Sequence, residues 1–256
     1  MHRIIFSIGP FTVYSYGFFV ALGAAMSVTL AAARAKKEGV ASSDILDIMA
    51  VIILGALLGG RLLFVAVNWQ YYAARPIAVF NLTEGGLAFQ GALVAGLLAG
   101  ALVSRLKKIS FWKVGDIISP YLALAHSVGR IGCFFNGCCY GKPALSGLAV
   151  TFPGDTLPRV PAQLYSSAGL LGIFILLLVL REKPRFEGYL FSVYIMLYAV
   201  FRVFMDRFRG DDLATLGGVT ISVIISIALF AAGALLYFLL KRRDSVKGSD
   251  HAKLGA

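Results

Sequence analysis

The sequence predicts an all-α, polytopic membrane protein, and its composition and hydropathy are the observations that predict it. Of the 256 residues, 59% are hydrophobic and only 14% are charged, and the mean hydropathy is +0.81. Soluble domains carry about 25% charged residues, so this chain lacks the polar surface that keeps a folded protein in water. Several stretches approach or exceed the ~20 apolar residues that cross a ~30 Å hydrocarbon core as a helix.

About seven transmembrane helices are expected, because seven apolar stretches of suitable length follow one another along the chain. The predicted spans cover residues 13–33, 45–66, 86–104, 114–135, 163–180, 188–206 and 219–240. Internal repeats, low-complexity segments and soluble domains are not detectable between them. We therefore expect a single integral-membrane domain over residues 1–256, with a basic tail from about residue 241.

Basic residues alternate between the loops and predict the orientation of the chain. Most Lys and Arg residues follow the first, third, fifth and seventh spans: Arg34, Lys36, Lys37, Arg105, Lys107, Lys108, Lys113, Arg181, Lys183, Arg185, Lys241, Arg242, Arg243, Lys247 and Lys253. By the positive-inside rule, the N-terminus is outside and the C-terminus is cytoplasmic. This pattern explains the net charge of +11 without nucleic acid as a partner, and it suits contact with anionic membrane lipids.

The stretch His126–Pro143 is the most informative part of the chain, because it combines His, Arg, Asn, Cys and Gly with apolar sequence. A guanidinium near hydrocarbon costs about 2.5–3.5 kcal/mol even on lenient scales, so Arg130 is expected to be functional. On a helix, His126, Arg130 and Cys133 follow i, i+4, i+7 spacing and share a face. Asn136 and the following glycines would end that helix and present backbone N–H groups.

A second polar stripe lies on the sixth predicted span, where Tyr198, Arg202, Asp206 and Arg209 also recur at helical spacing. Arg202 and Asp206 are well placed for an i, i+4 ion pair. Asp206 and Arg209 are equally well explained as an interfacial ion pair with little energetic effect. Arg61 is either a third interior cation or a snorkelling side chain. Arginines that converge inside a bundle favour a phosphate, and within a membrane this indicates a phospholipid headgroup or a lipid-linked phosphate.

The three cysteines of the chain, Cys133, Cys138 and Cys139, lie close together in sequence. One disulfide is possible with one thiol left over, although the vicinal Cys138 and Cys139 are poorly disposed to bridge each other. Small apolar filling is the favoured interpretation. A metal site would need more ligands than His126 and Asp155 supply, so none is predicted. A thiol redox protein is disfavoured because the spacing is not C-x-x-C.

Taken in order, these residues resemble the prolipoprotein diacylglyceryl transferase family of bacterial membrane enzymes. The matching positions are Phe6–Pro10, Tyr16–Gly17, Leu58–Arg61, Glu84–Phe89, Gly129–Gly132, Asn136–Gly137, Gly141, Pro161–Tyr165, Tyr198, Arg202, Asp206 and Arg209. The resemblance implies transfer of the diacylglyceryl group of phosphatidylglycerol to the lipobox cysteine of a prolipoprotein signal peptide. Glycerol phosphate would be released. It further implies a multi-pass protein of the bacterial cytoplasmic (inner) membrane that needs no cofactor.

The resemblance and the chemistry of the side chains together suggest roles for individual residues. Arg130 and Arg202 would stabilise the charge that develops on the departing phosphate, with Asp206 orienting Arg202. His126 and Gln90 complete the expected catalytic set. The expected substrate-binding residues are Tyr16, Arg61, Gly91, Asn136, Gly141, Tyr198 and Arg209.

This chain also departs from the family pattern. Gln90 stands where members often carry a thiol-activating His, and an amide cannot usefully accept a proton. His126 and Asp206 are alternative bases, and direct loss of the proton to water is a third route. The other departures are Cys133 for Asn, Cys138 for an acidic residue, Val160 for His and Ser166 for Glu.

Two rival functions follow from these features. A paralogue of the same fold with another lipid donor or acceptor would account for the departures. A non-catalytic phospholipid-binding protein or transporter is the other, although the absence of a detectable repeat argues against common transporter folds.

Overall fold

The computed structural model describes residues 2–9, 11–81, 85–144, 148–182, 185–210, 215–216 and 219–254. Two positions of the motifs above, Pro10 and Glu84, lie outside these ranges. The described α-helices are α1 (Ser15–Ala35), α2 (Ser42–Val67), α3 (Trp69–Ala73), α4 (Phe89–Leu106), α5 (Phe111–Asn136), α6 (Ala162–Arg181), α7 (Tyr189–Asp206) and α8 (Ile221–Leu254). Two short antiparallel pairs accompany them: β1 (Ile4–Ile8) with β2 (Phe11–Tyr14), and β3 (Thr215–Leu216) with β4 (Val219–Thr220).

Six helices in the described part of the chain are long and apolar enough to cross a membrane, namely α1, α2, α4, α6, α7 and α8. This confirms the predicted polytopic α-helical membrane fold. Helix α5 has 26 residues, which corresponds to about 39 Å and is sufficient to span. It carries Lys113, Asp116 and Arg130, however, and is not among the six. A total of seven spans and an outside N-terminus therefore stay predictions.

The chain divides into two compact units, one formed by residues 1–30 and 115–256 and the other by residues 31–114. Folding of the whole chain as one domain stays a prediction. The basic tail beyond residue 240 does not leave the last helix, because α8 continues through it to Leu254.

In the unit of residues 31–114, α2 packs along α4 through small residues. A methyl group added to Gly59 would lie 2.2 Å from Cβ of Ala95 and 2.5 Å from the carbonyl oxygen of Gly91. A methyl group on Gly91 would likewise lie 2.3 Å from the carbonyl oxygen of Gly59. Only glycine fits at these two positions, which is the usual way in which membrane helices bring their backbones together.

Arg61 organises the connection between α2 and α4 in the same unit. Its side chain is 7% exposed and its guanidinium lies 5.2 Å from the centre of the Tyr72 ring. The guanidinium donates hydrogen bonds of 2.7–3.1 Å to the carbonyl oxygens of Ala78, Val79, Asn81, Gly85 and Gly86. These contacts use all five N–H donors of the group. Arg61 thereby holds the backbone of this connecting segment in place through five hydrogen bonds.

In the unit of residues 1–30 and 115–256, α1 lies close against α5. The Ser27 hydroxyl donates to the carbonyl of Tyr121 at 2.6 Å, and a methyl group on Gly23 would lie 2.8 Å from the carbonyl oxygen of Ala125. Further along α5, a methyl group on Gly132 would lie 2.9 Å from Cβ of Phe19. These close approaches place the first turn of α1 beside the last turns of α5.

The opposite end of α5 fixes α6 and α7 through buried polar groups. The Asp116 carboxylate accepts hydrogen bonds from the backbone N–H groups of Gly188 at 2.7 Å and Phe191 at 2.9 Å, so it caps the start of α7. Arg181, at the end of α6, donates to the carbonyls of Asp116 and Ile117 at 2.8 and 2.9 Å. Helices α6 and α8 both pack against α7. This frame holds the polar residues of α5 and α7 at fixed positions.

Candidate active site

The polar face predicted for α5 exists, because the helix remains intact from Phe111 to Asn136. His126 and Arg130 are half-buried on it and Cys133 is buried. Within the part of the chain that the structure describes, Arg130 makes neither a hydrogen bond nor an ion pair. A guanidinium left in this state on a membrane helix is costly unless an anion completes its surroundings.

His126 links this face to α7. Its ring centre lies 5.6 Å from that of Tyr198, with an interplanar angle of 40°. His126 is also within electrostatic range of both Arg130 on α5 and Arg202 on α7. Two guanidinium groups from different helices are therefore within electrostatic range of the same imidazole. A phosphate site formed by these two arginines stays a prediction.

The predicted pair of Arg202 and Asp206 forms on α7. Nη2 of Arg202 lies 3.3 Å from Oδ1 of Asp206, and Nε of Arg202 donates to the hydroxyl of Ser222 at 3.0 Å. The Asp206 side chain is only 6% exposed, and neither of its oxygens accepts a hydrogen bond from a described residue. Asp206 thus depends on the charge of Arg202, and it in turn holds that guanidinium in place.

Tyr16 lies in the first turn of α1, where the small size of Gly132 lets the backbones approach. A methyl group on Gly132 would lie 3.3 Å from Cα of Tyr16. The Tyr16 side chain is 48% exposed and lies within electrostatic range of Arg130. Asn136 ends α5, and its carbonyl accepts a hydrogen bond from Nε of Arg3 at 3.1 Å. The N-terminal segment is thereby tied to the end of α5.

Gly141 and Arg209 meet as an isolated antiparallel bridge beyond the ends of α5 and α7. The Gly141 N–H donates to the carbonyl of Val160 at 2.8 Å, and an added methyl group would lie 2.6 Å from the carbonyl oxygen of Phe208. Glycine is required at this point because three backbone segments cross within contact distance. The backbone of Arg209 is therefore held against the loop that follows α5, and its substrate-binding role stays a prediction.

The structure also brings together the sulfur atoms of Cys133, Cys138 and Cys139, which the sequence analysis assigns to apolar filling. All three are free thiols, and their Sγ atoms lie within 4.8 Å of one another. Hydrogen bonds from the thiols of Cys133 and Cys139 lower the pKa of Cys138 below its ordinary value. The i, i+5, i+6 spacing around Asn136-Gly137 is the sequence signal that could have indicated this cluster.

The remaining predicted residues, Arg61, Gln90 and Gly91, belong to the unit of residues 31–114. Arg61 is saturated by backbone carbonyls and Gly91 lies at the contact between α2 and α4. Gln90 is exposed in the first turn of α4. Structural roles account for Arg61 and Gly91, and a substrate-binding role for either stays a prediction.

Comparison with known proteins gives a consistent result. The family model described as prolipoprotein diacylglyceryl transferase matches residues 3–239. The chain is 32% identical to the phosphatidylglycerol–prolipoprotein diacylglyceryl transferase of Clostridioides difficile (strain 630), over 95% of this chain and 97% of that protein. The protein of the same name from Finegoldia magna shows the same identity and coverage. That from Bacillus cytotoxicus is 30% identical over 95% of this chain and 93% of its own length.

Proposed function

The chain belongs to the prolipoprotein diacylglyceryl transferase family, and on this basis we propose that it transfers a diacylglyceryl group from phosphatidylglycerol to a prolipoprotein cysteine. The acceptor is the lipobox cysteine of a signal peptide. The reaction takes place in the bacterial cytoplasmic membrane, with the catalytic arginines towards the outer face and the basic tail in the cytoplasm.

The reaction requires stabilisation of a leaving phosphate more than any other contribution from the protein. The cysteine sulfur attacks the glyceryl carbon that carries the phosphate ester, so that a C–S bond forms and the C–O bond breaks. The electron pair of that bond leaves with the phosphate as glycerol phosphate. Prepositioned guanidinium groups lower the barrier because they meet negative charge where it develops, in surroundings that exclude water.

The observation that carries this proposal is the state of Arg130. It is half-buried on α5, makes no hydrogen bond or ion pair to the described residues, and shares the neighbourhood of His126 with Arg202. A phosphate ester supplies the missing acceptors and forms bidentate contacts with a guanidinium. Arg130 and Arg202 would hold the phosphate from two helices, while Tyr16, Asn136 and Tyr198 would contact the glycerol.

Activation of the thiol does not need a base at position 90. A free cysteine has a pKa of about 8.5, so a few per cent of the acceptor is already thiolate at neutral pH. We propose that the acceptor loses its proton to solvent and that leaving-group stabilisation provides most of the rate enhancement. His126 would contribute mainly through its contact with Tyr198.

The test uses protein purified in detergent with phosphatidylglycerol and a lipobox peptide. Release of glycerol phosphate should accompany a diacylglyceryl mass gain on the peptide, and a peptide with Ser in place of Cys should give neither. Arg130→Ala should lower turnover at least about 10²-fold. Arg75→Ala, which removes an exposed arginine outside the site, should retain the wild-type rate.

Two results would contradict the proposal. Wild-type turnover by Arg130→Ala would remove the phosphate-binding role. Headgroup binding without transfer to any cysteine peptide would instead indicate a lipid-binding protein or a paralogue with a different acceptor.

A further inference from the structure

We propose that Cys133, Cys138 and Cys139 form a three-thiolate site for a soft metal ion, Zn²⁺ or another thiophilic cation of similar size. This proposal concerns a separate set of side chains and does not depend on the transferase activity. It starts from the observation that the three Sγ atoms lie within 4.8 Å of one another.

The backbone brings these thiols together through a turn at the end of α5. The N–H of Gly137 donates to the carbonyl of Phe134 at 3.1 Å, and the N–H of Cys138 donates to the carbonyl of Cys133 at 3.2 Å. Gly137 has a φ of 72°, in the left-handed region that ends many helices. The chain therefore reverses just after Asn136 and returns two cysteines to the side of α5 that carries Cys133.

A second feature of this turn is the conformation of Cys139, whose φ is 60°. Residues other than glycine rarely adopt a positive φ, because their Cβ atom clashes with the backbone. Where they do, the surrounding structure holds them there, often at functional sites. The preceding peptide is fixed from α6, because Nε2 of Gln163 donates to the carbonyl of Cys138 at 2.7 Å. Gln163 is only 1% exposed, so the loop that presents the cysteines is anchored by a buried group.

The spacing of the sulfurs fits a single metal ion. A Zn–S bond is about 2.3 Å long, which places thiolates around one ion about 3.8–4.0 Å apart. The separations of up to 4.8 Å need to contract by no more than about 1 Å. Cys138 and Cys139 are half-buried, so an ion has access from the surface, while the buried Cys133 provides the inner ligand.

The ligand set selects the kind of ion. Three sulfurs without a carboxylate or imidazole in the group favour soft cations over Mg²⁺ or Ca²⁺. Binding of Zn²⁺ converts three thiols into thiolates and releases three protons, leaving the cluster with a net charge of −1. Arg130 is within electrostatic range of Cys133 and Cys138, so this negative charge would have a cation beside it.

The experiment measures metal binding by the full chain, purified without a metal-binding tag, stripped with a chelator and kept reduced. Titration with Cd²⁺ should give a thiolate-to-metal charge-transfer absorption that saturates at one ion per chain, and a large excess of Zn²⁺, but not of Mg²⁺, should compete with it. Either soft ion should raise the unfolding temperature, because it binds the folded state. Cys133→Ser should weaken binding at least tenfold.

Two further variants keep the test decisive. Cys139→Ser removes one of the three thiols at a half-buried position and should also weaken binding. It provides the test if Cys133→Ser fails to fold. Ser127→Ala, which shortens another α5 side chain without touching a sulfur, should bind as the wild type does. Binding that survives both cysteine substitutions would overturn the proposal. The proposal would also be overturned if the reduced protein had three titratable thiols but bound no Cd²⁺. A disulfide in freshly isolated protein would overturn it as well.

Discussion

The ion pair between Arg202 and Asp206 allows catalysis to be separated from stability. With Nη2 and Oδ1 3.3 Å apart, their attraction is about 5 kcal/mol at an effective dielectric constant of about 20. Asp206 is 6% exposed and accepts no hydrogen bond from the described residues, so Arg202 is the partner that compensates for its burial. Arg202→Ala leaves that carboxylate buried and unpaired, which should destabilise the protein by about 3–5 kcal/mol.

The double variant Arg202→Ala/Asp206→Ala removes both charges and should recover most of that loss of stability. Transfer should nevertheless remain about 10²–10³-fold below wild type in both variants, because each lacks a guanidinium at the leaving phosphate. Thermal unfolding in detergent measures the first effect, and glycerol phosphate release measures the second.

The matched control is Arg34→Ala, which breaks another i, i+4 pair with Glu38. These partners are 27% and 24% exposed and make a single contact at the end of α1, so the cost should be no more than about 1 kcal/mol, with transfer unchanged. Wild-type turnover by the double variant would refute the reasoning, since the pair would then serve only the fold. A double variant no more stable than Arg202→Ala would show that Asp206 does not depend on its partner.

Three further predictions concern the rest of the molecule. His126→Ala should lower transfer by less than tenfold, and an inactive but folded variant would make His126 essential to the chemistry. Gly59→Ala should destabilise the protein by about 1–3 kcal/mol in thermal unfolding, because the new methyl group would lie 2.2 Å from Cβ of Ala95. The control Gly172→Ala should be neutral, because its methyl group would meet no atom within 4 Å. Arg61→Ala should cost at least about 2 kcal/mol and speed hydrogen exchange in residues 76–81, since it removes the guanidinium hydrogen bonds to the carbonyls of Ala78, Val79 and Asn81.

The helices were predictable because long apolar runs end at charged or turn-forming residues. The predicted spans 45–66 and 163–180 correspond to Ser42–Val67 and Ala162–Arg181, so their ends agree within three residues. The last span, predicted to end at residue 240, continues to Leu254 because its basic tail contains few helix-breaking residues. Hydropathy cannot detect such an extension, since the helix persists after the apolar composition ends.

The candidate site was predictable where it depends on helical spacing, as for Arg202 and Asp206. The cysteine cluster was not, because its geometry depends on a reversal at Gly137 that places residues from beyond α5 against Cys133. The hairpin of β1 and β2 was also not predicted. It pairs short segments of exposed apolar side chains, such as Ile4 and Phe6, whose composition resembles the start of a membrane span.

A buried arginine in a membrane protein is informative only when its hydrogen-bond partners are known. Arg61 and Arg181 are 7% and 4% exposed, and backbone carbonyls accept their hydrogen bonds, so their charges are accommodated by the fold itself. Arg202 is neutralised by Asp206, while Arg130 has no hydrogen-bonding partner among the described residues. Sequence alone gives Arg61, Arg130 and Arg202 similar weight, because each carries the same cost near hydrocarbon, and it assigns Arg181 to a basic loop. Their contacts separate two arginines that stabilise the fold from the two that we propose to bind the phosphate. Because the donors of Arg130 are unfilled by described residues, we expect substrate binding to change the surroundings of Arg130 more than those of the other three.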